Sequence, residues 1–207
     1  MDQVTIAVPW SVIPDYRCFG CSPHNTGGLR LTFTAHPDGL QAKFRLGRSF
    51  ESYPGVVHGG LTGVICDEVM GNLIVLARRR PAFTVSQRTR FLTPLLVDRE
   101  YTCVASLSGN NSDTLIQGAA EILDADGALC AGSTATYQPF DFRDARHQLR
   151  LDDEEVALLD RALLDTESRH RAHEHRPATN TALRRTPSRD EHPPAMNTRP
   201  AMNTAPQ

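Results

Sequence analysis

Apolar and polar positions along the chain change period several times, and the changes mark its elements. Leu29, Leu31, Phe33 and Ala35 alternate with polar neighbours, His36-Pro37-Asp38-Gly39 supplies turn residues, and Leu40, Ala42, Phe44 and Leu46 alternate again. Residues 29–46 therefore read as a hairpin. From about Gly59 to Arg79 the chain is long, apolar and free of proline, which predicts a buried helix. Arg78-Arg79-Arg80 closes it with cations at the negative end of the helix dipole, and Pro81 stops it. Four strand-like stretches follow at Ala82–Leu92, Arg99–Ser108, Asp113–Leu123 and Ala128–Gln138, separated by the turn sequences Gly109-Asn110-Asn111 and Asp124-Ala125-Asp126-Gly127. Asp152–Leu164 has Val156, Leu159 and Leu163 at helical spacing, with Asp152 or Asp153 as its cap.

The predicted order is two strands, one long helix, then four strands. The helix is too apolar for a surface, so the sheet must curl around it. That is an α+β class of hot-dog fold, a curled antiparallel sheet around one long central helix. Its sheet leaves an open edge, so such domains dimerise. The division expected is an irregular segment over 1–28, broken by Pro9, Pro14, Pro23 and Gly27-Gly28, and the hot-dog domain over 29–140. A helical extension over 141–165 and a disordered tail over 166–207 complete it. The tail is polar and ends in the duplication Pro194-Ala-Met-Asn-Thr, Pro200-Ala-Met-Asn-Thr.

Composition narrows the classes. Of 207 residues 40% are hydrophobic and few of these lie in the tail, so the ordered part has one continuous core. A net charge of -2 with mixed signs does not suggest nucleic acid. No unbroken apolar run of membrane-spanning length and no signal-peptide start are present, so no membrane partner is expected. Five cysteines, Cys18, Cys21, Cys66, Cys103 and Cys130, are odd in number and irregular in spacing, which reads as reduced thiols in a cytoplasmic protein. Cys18-x-x-Cys21 with His24 nearby invites a zinc reading, but no second pair follows at finger spacing. A tight turn packing its cysteines as small apolar groups is favoured. His170, His173 and His175 are read as part of a solvated tail rather than a metal site. Neither metal nor cofactor is expected.

The chemistry concentrates between Tyr53 and Gly71. An acidic pair, Asp67-Glu68, interrupts the apolar helix, and an ionisable pair there needs exposure, a partner or a function. Gly59 and Gly60, where the helix begins, permit close approach to backbone N–H groups. The stretch Tyr53-Pro-Gly-Val-Val-His-Gly-Gly-Leu…Cys66-Asp-Glu resembles the signature of hot-dog acyl-CoA thioesterases, specifically the phenylacetate-pathway (PaaI-like) branch. Phe83-Thr-Val-Ser followed by Arg90-Phe-Leu-Thr-Pro-Leu is similar to that family's next strand, and Cys18-Phe-Gly-Cys-Ser-Pro-His-Asn25…Gly28-Leu resembles an N-terminal motif of many members.

The resemblance implies hydrolysis of an acyl-CoA or acyl-carrier-protein thioester in a homodimer or a dimer of dimers. Gly59 and Gly60 can donate to the thioester carbonyl, and Asp67 can activate water or attack directly. His58 is assigned to orienting the loop, with a general-base role as the lesser option. Thr84 matches a family position whose hydroxyl helps place the attacking water. Several members carry an Asn six residues before the His; here Ser52 stands there and reaches less far. Glu68, one residue on from Asp67, is rotated about 100° from it, toward solvent, a partner or substrate. Arg88 and Arg90, with Arg78–Arg80, are candidates for substrate phosphates. Gly60 and Asp67 are seven residues apart, about 10 Å along a helix. A carbonyl and its attacking nucleophile must meet within about 3.5 Å, so one subunit fits the reaction badly and a site composed from two antiparallel helices fits it well. The alternative is a non-catalytic acyl-thioester binder on the same fold. A hydratase would want a His-Asp pair within the long helix, and His58 precedes it.

Overall fold

The computed structural model describes residues 4–108 and 112–174, with side chains to Asp165. Seven strands form one antiparallel sheet: β1 Thr5–Ile6, β2 Phe33–His36, β3 Gly39–Arg45, β4 Ala82–Phe91, β5 Glu100–Leu107, β6 Ile116–Asp124 and β7 Leu129–Pro139. Their order across the sheet is β1-β2-β3-β5-β6-β7-β4. The helix α1, Gly59–Arg78, follows β3, and two helices, α2 Phe142–Leu149 and α3 Asp153–Glu174, follow β7.

The sheet wraps α1, as the apolar run requires. Ile65, Cys66, Val69, Met70 and Ile74 are fully buried, and they share one core with Phe33, Leu40, Ala42, Cys103, Ala105, Ile122 and Ala131 of the sheet. By length and composition α1 would also suit a membrane crossing, but half of it is covered by the sheet of its own domain. The helix ends at Arg79, whose left-handed backbone (φ 55°) lets its N–H return to the Val75 carbonyl.

Three differences from the sequence reading have local causes. Leu29–Leu31 do not join the hairpin ladder. Their N–H groups go instead to the Phe19 and Gly20 carbonyls (2.7 and 2.8 Å), so this stretch laces the Cys18 turn onto the sheet. Within the segment expected to be irregular, Thr5 and Ile6 pair with Thr34 and Phe33 as the outermost strand. Two residues are too few to show alternation. In the helical extension, α2 is a separate helix capped by Asp141, whose carboxylate accepts the Arg143 N–H at 2.9 Å. The α3 cap is reciprocal: Asp152 accepts from Glu155 N at 2.8 Å and Glu155 from Asp152 N at 3.0 Å. That helix continues past Asp165 to Glu174. The turn expected at Gly109–Asn111, the His170/His173/His175 cluster and the tail from 175 lie outside the described residues or side chains.

The C-terminal helices build a second apolar cluster, Phe142, Val156, Leu159 and Leu163, against Val75 on α1 and Trp10. Trp10 meets Phe142 edge-on with ring centroids 5.8 Å apart. This cluster covers the far end of α1 and leaves the Asp67–Glu68 stretch facing a cleft. Because Ile74 is fully enclosed, Ile74→Ala is expected to lower stability by about 2–5 kcal/mol. Its urea midpoint would be compared with that of the unaltered chain, and an unchanged midpoint would contradict α1 as the core.

Candidate active site

Asp67 stands on the flank of α1 that faces β4 and β7. Its Oδ1 accepts two hydroxyl hydrogen bonds, from Thr84 on β4 at 2.7 Å and from Tyr137 on β7 at 2.9 Å. Thr84 and Tyr137 are register partners across the two strands. Tyr137 is buried, and burial together with the charge of Asp67 raises its phenol, so it stays a proton donor. Both bonds fall on one oxygen. Asp67 Oδ2 has no hydrogen-bond partner among the described residues, while Asp67 lines a cleft of about 250 Å³ with Thr84, Tyr137, Glu68 and Cys18. The carboxylate is thus fixed by one oxygen and offers the other.

A bulge aims Thr84. Along β4, Gln87 reaches the Gly63 carbonyl (2.9 Å) and Ser133 (3.0 Å), and Thr89 also meets Ser133 (3.1 Å), so odd-numbered positions face α1 there. Strict alternation would turn Val85 inward and Thr84 outward. The register shifts between Thr84 and Ser86, which oppose the consecutive residues Tyr137 and Thr136. The extra residue reverses the parity and brings Thr84 onto Asp67. Arg88 and Arg90 occupy the opposite face of β4 from Gln87 and Thr89, so the structure does not bring them to Asp67 of the same chain.

The helix start is arranged by His58. It is the N-cap with extended backbone (φ -59°, ψ 125°), and its Nδ1 accepts the Gly60 N–H at 3.0 Å. This corrects the expectation that both glycine amides face a ligand: the Gly60 amide is taken by the cap. Gly59, the first helical residue, has an N–H without a partner among the described residues. A Cβ on Gly60 would lie 3.1 Å from His58 Nδ1, so a side chain there would push the ring back by a few tenths of an ångström. Ser52 lies in the exposed loop before the helix, its N–H bonded to Val56 O at 2.8 Å. Gly59 and Asp67 remain on one unbroken helix, about 12 Å apart by rise alone.

Glu68 does not face solvent. It turns toward the N-terminal turn, where Asn72 Nδ2 donates to its Oε1 at 2.9 Å and Trp10 Nε1 holds Asn72 Oδ1 at 3.1 Å. Cys18 Sγ lies 3.4 and 3.5 Å from its two carboxylate oxygens. The Cys18-x-x-Cys21 turn is therefore not simply apolar packing: Cys21 is buried, but Cys18 points at a carboxylate. Burial, then the charge of Cys18, pushes the Glu68 carboxyl up to about 7. Hydrogen bonding from Cys21 brings the Cys18 thiol down to about 5 against the effect of burial. That bond and burial raise Cys21.

Tyr137 and the Asn72–Trp10 relay were not recognised from the sequence. Tyr137 ends an alternating strand and reads as an ordinary core aromatic until its register with Thr84 is known.

Residues 54–131 match the family model described as Thioesterase superfamily. A crystallised thioesterase superfamily protein superposes with a TM-score of 0.54 at 21% identity, over 58% of this chain and 62% of its own. The chain thus spans less than two thirds of that relative. A Streptococcus mutans UA159 protein bound to acetyl CoA superposes with a TM-score of 0.51 at 14% identity, over 62% of this chain and 95% of its own. No curated protein sequence matches significantly. The seven-stranded antiparallel sheet curled on one central helix is the hot-dog fold of these solved structures, and the stretch that matches the Thioesterase superfamily model runs from the turn before α1 to the start of β7.

Proposed function

We propose that the protein hydrolyses an acyl thioester, with an acyl-CoA as the first substrate class and an acyl-carrier protein as the second, in a site shared by two copies of the chain. The observation that carries this reading is Asp67: Oδ1 is held by Thr84 and Tyr137, and Oδ2 is left toward the cleft. A carboxylate held this way suits a general base. Oδ2 takes a proton from water as the water oxygen attacks the thioester carbonyl; the oxyanion accepts a hydrogen bond from a Gly59 N–H at a helix N-terminus; the C–S bond breaks and the thiolate regains the proton from Asp67. Attack by Oδ2 itself, through an anhydride that water then opens, uses the same atoms. The acetyl CoA held by the Streptococcus mutans neighbour supports the CoA class. The His58-Gly59-Gly60…Asp67 spacing and the Cys18–Gly28 motif support placement in the PaaI-like branch. Five free cysteines fit a reducing cytoplasm.

Two copies are required by length. Gly59 and Asp67 of one chain cannot meet one carbonyl across about 12 Å of helix. A second copy can bring its Gly59 to this Asp67. The edge strand β4 is the surface that fits this pairing: it ends the sheet, and Phe83, Val85 and Phe91 on it are exposed.

Thiol release over a panel of acyl-CoA chain lengths tests the activity. Asp67→Asn is expected to reduce kcat by about 10²-fold or more, with the fold retained by circular dichroism. Thr84→Val and Tyr137→Phe are each expected to reduce it by about 10- to 100-fold, as loss of a hydrogen bond to a charged group would. Unchanged turnover in Asp67→Asn would exclude Asp67, and a wild-type chain inactive on every acyl-CoA and carrier thioester would favour the binder reading.

The shared site has its own test. Gly59→Pro deletes the donor N–H, and proline suits the first helical position after the extended backbone of His58. Gly59→Pro and Asp67→Asn should each be inactive alone. Co-refolded in equal amounts, they should recover about a quarter of wild-type activity, because half the dimers carry one intact site of two. No recovery in verified mixed dimers would place both groups in one chain.

A further inference from the structure

We infer that Cys18 Sγ, Cys21 Sγ and a Glu68 carboxylate oxygen form a binding site for a zinc-class divalent ion, which fastens the N-terminal turn to α1 beside Asp67. The three ligand atoms lie within 4.8 Å of one another, although they come from a turn and a helix about fifty residues apart in sequence. A tetrahedral zinc with Zn–S of about 2.3 Å and Zn–O of about 2.0–2.2 Å separates a sulfur from an oxygen ligand by roughly 3.5–3.7 Å. Cys18 Sγ sits 3.4 and 3.5 Å from the Glu68 oxygens, so this pair stands close to that edge length already. Two thiolates and a carboxylate select a borderline-soft ion over magnesium or calcium, which take oxygen donors. Three protein ligands leave the fourth position to water.

The surroundings are built toward these donors. The Gly20 N–H points at Cys18 Sγ at 3.3 Å, where it would stabilise a thiolate. Gly20 packs directly on Glu68: a Cβ there would come within 2.3 Å of the Glu68 carboxyl carbon and Oε2, so a side chain at this position would displace the carboxylate from where it now lies. Asn72 orients Glu68, and Trp10 orients Asn72 (2.9 and 3.1 Å), the kind of outer support that metal-bound carboxylates carry. A disulfide would use the two sulfurs and leave this arrangement around Glu68 unexplained. Binding exchanges the thiol protons for the ion and releases them to solvent. The site stands whether or not the chain hydrolyses thioesters.

Cobalt titration tests it directly. The full chain, kept reduced and freed of metal by a chelator, is expected to bind one Co²⁺ per chain with a thiolate-to-metal band in the near ultraviolet and tetrahedral bands in the visible, and Zn²⁺ should displace it. Cys18→Ser with Cys21→Ser should abolish the thiolate band. Glu68→Gln should keep the band but weaken binding by about tenfold or more. Replacing His170, His173 and His175 with Ala should change nothing. Absence of a thiolate band in the unaltered reduced chain, or binding that disappears with the histidines and survives the cysteine changes, would overturn the proposal.

Discussion

Everything in this domain depends on one burial: a twenty-residue apolar helix with nowhere to go but inside its own sheet. Wrapping Ile65, Val69, Met70 and Ile74 fixes the curl of strands β3 to β7 and so fixes which flank of α1 stays reachable. That flank carries Asp67 and Glu68. A carboxylate on a core helix is tolerated only where hydroxyl or amide donors meet it. The two acids have been given different sets: Thr84 and Tyr137 for one, Asn72 and the cysteine turn for the other. Adjacent in sequence, they face separate chemistry because the helix turns about 100° between them.

The bulge at Val85 and the glycine at 20 serve the same end by opposite means. One adds a residue so that a threonine faces inward; the other omits a side chain where a carboxylate lies against a turn. Both sit beside the acid they serve, and both depart from local regularity at the site rather than in the scaffold. The C-terminal helices contribute at a distance. Packed on Val75, they hold Trp10 against Phe142, and Trp10 holds Asn72, which holds Glu68.

How much of this could be read from the residues differs by element. The hairpin at Gly39, α1 to within a residue, and strands β5 to β7 follow from period and turn chemistry, because each buries a regular set of positions; β4, exposed along most of its length, follows instead from its Thr, Val and Phe content and the proline after it. Thr5–Ile6 and α2 are too short for a period to declare itself. Leu29–Leu31 alternate correctly but bond to a turn, since alternation reports burial and not the partner. Asp67 stood out as an acid inside an apolar helix, His58 as the residue before that helix and Thr84 from the family likeness, whereas Tyr137 and the closure of Cys18 on Glu68 were not named.

The sequence by itself determined which helix is buried, which strands enclose it, and that an acid stands within it eight residues after a glycine start. Those are consequences of local period, and local period is written in the chain. Only the tertiary structure decided what each acid touches. The parity of β4 at its bulge, the register that sets Tyr137 beside Thr84, and the approach of a turn to Glu68 across fifty residues all depend on contacts between distant segments. One residue more or less in a strand reverses every side chain after it, so residues that point toward Asp67 are known only once the strands have paired.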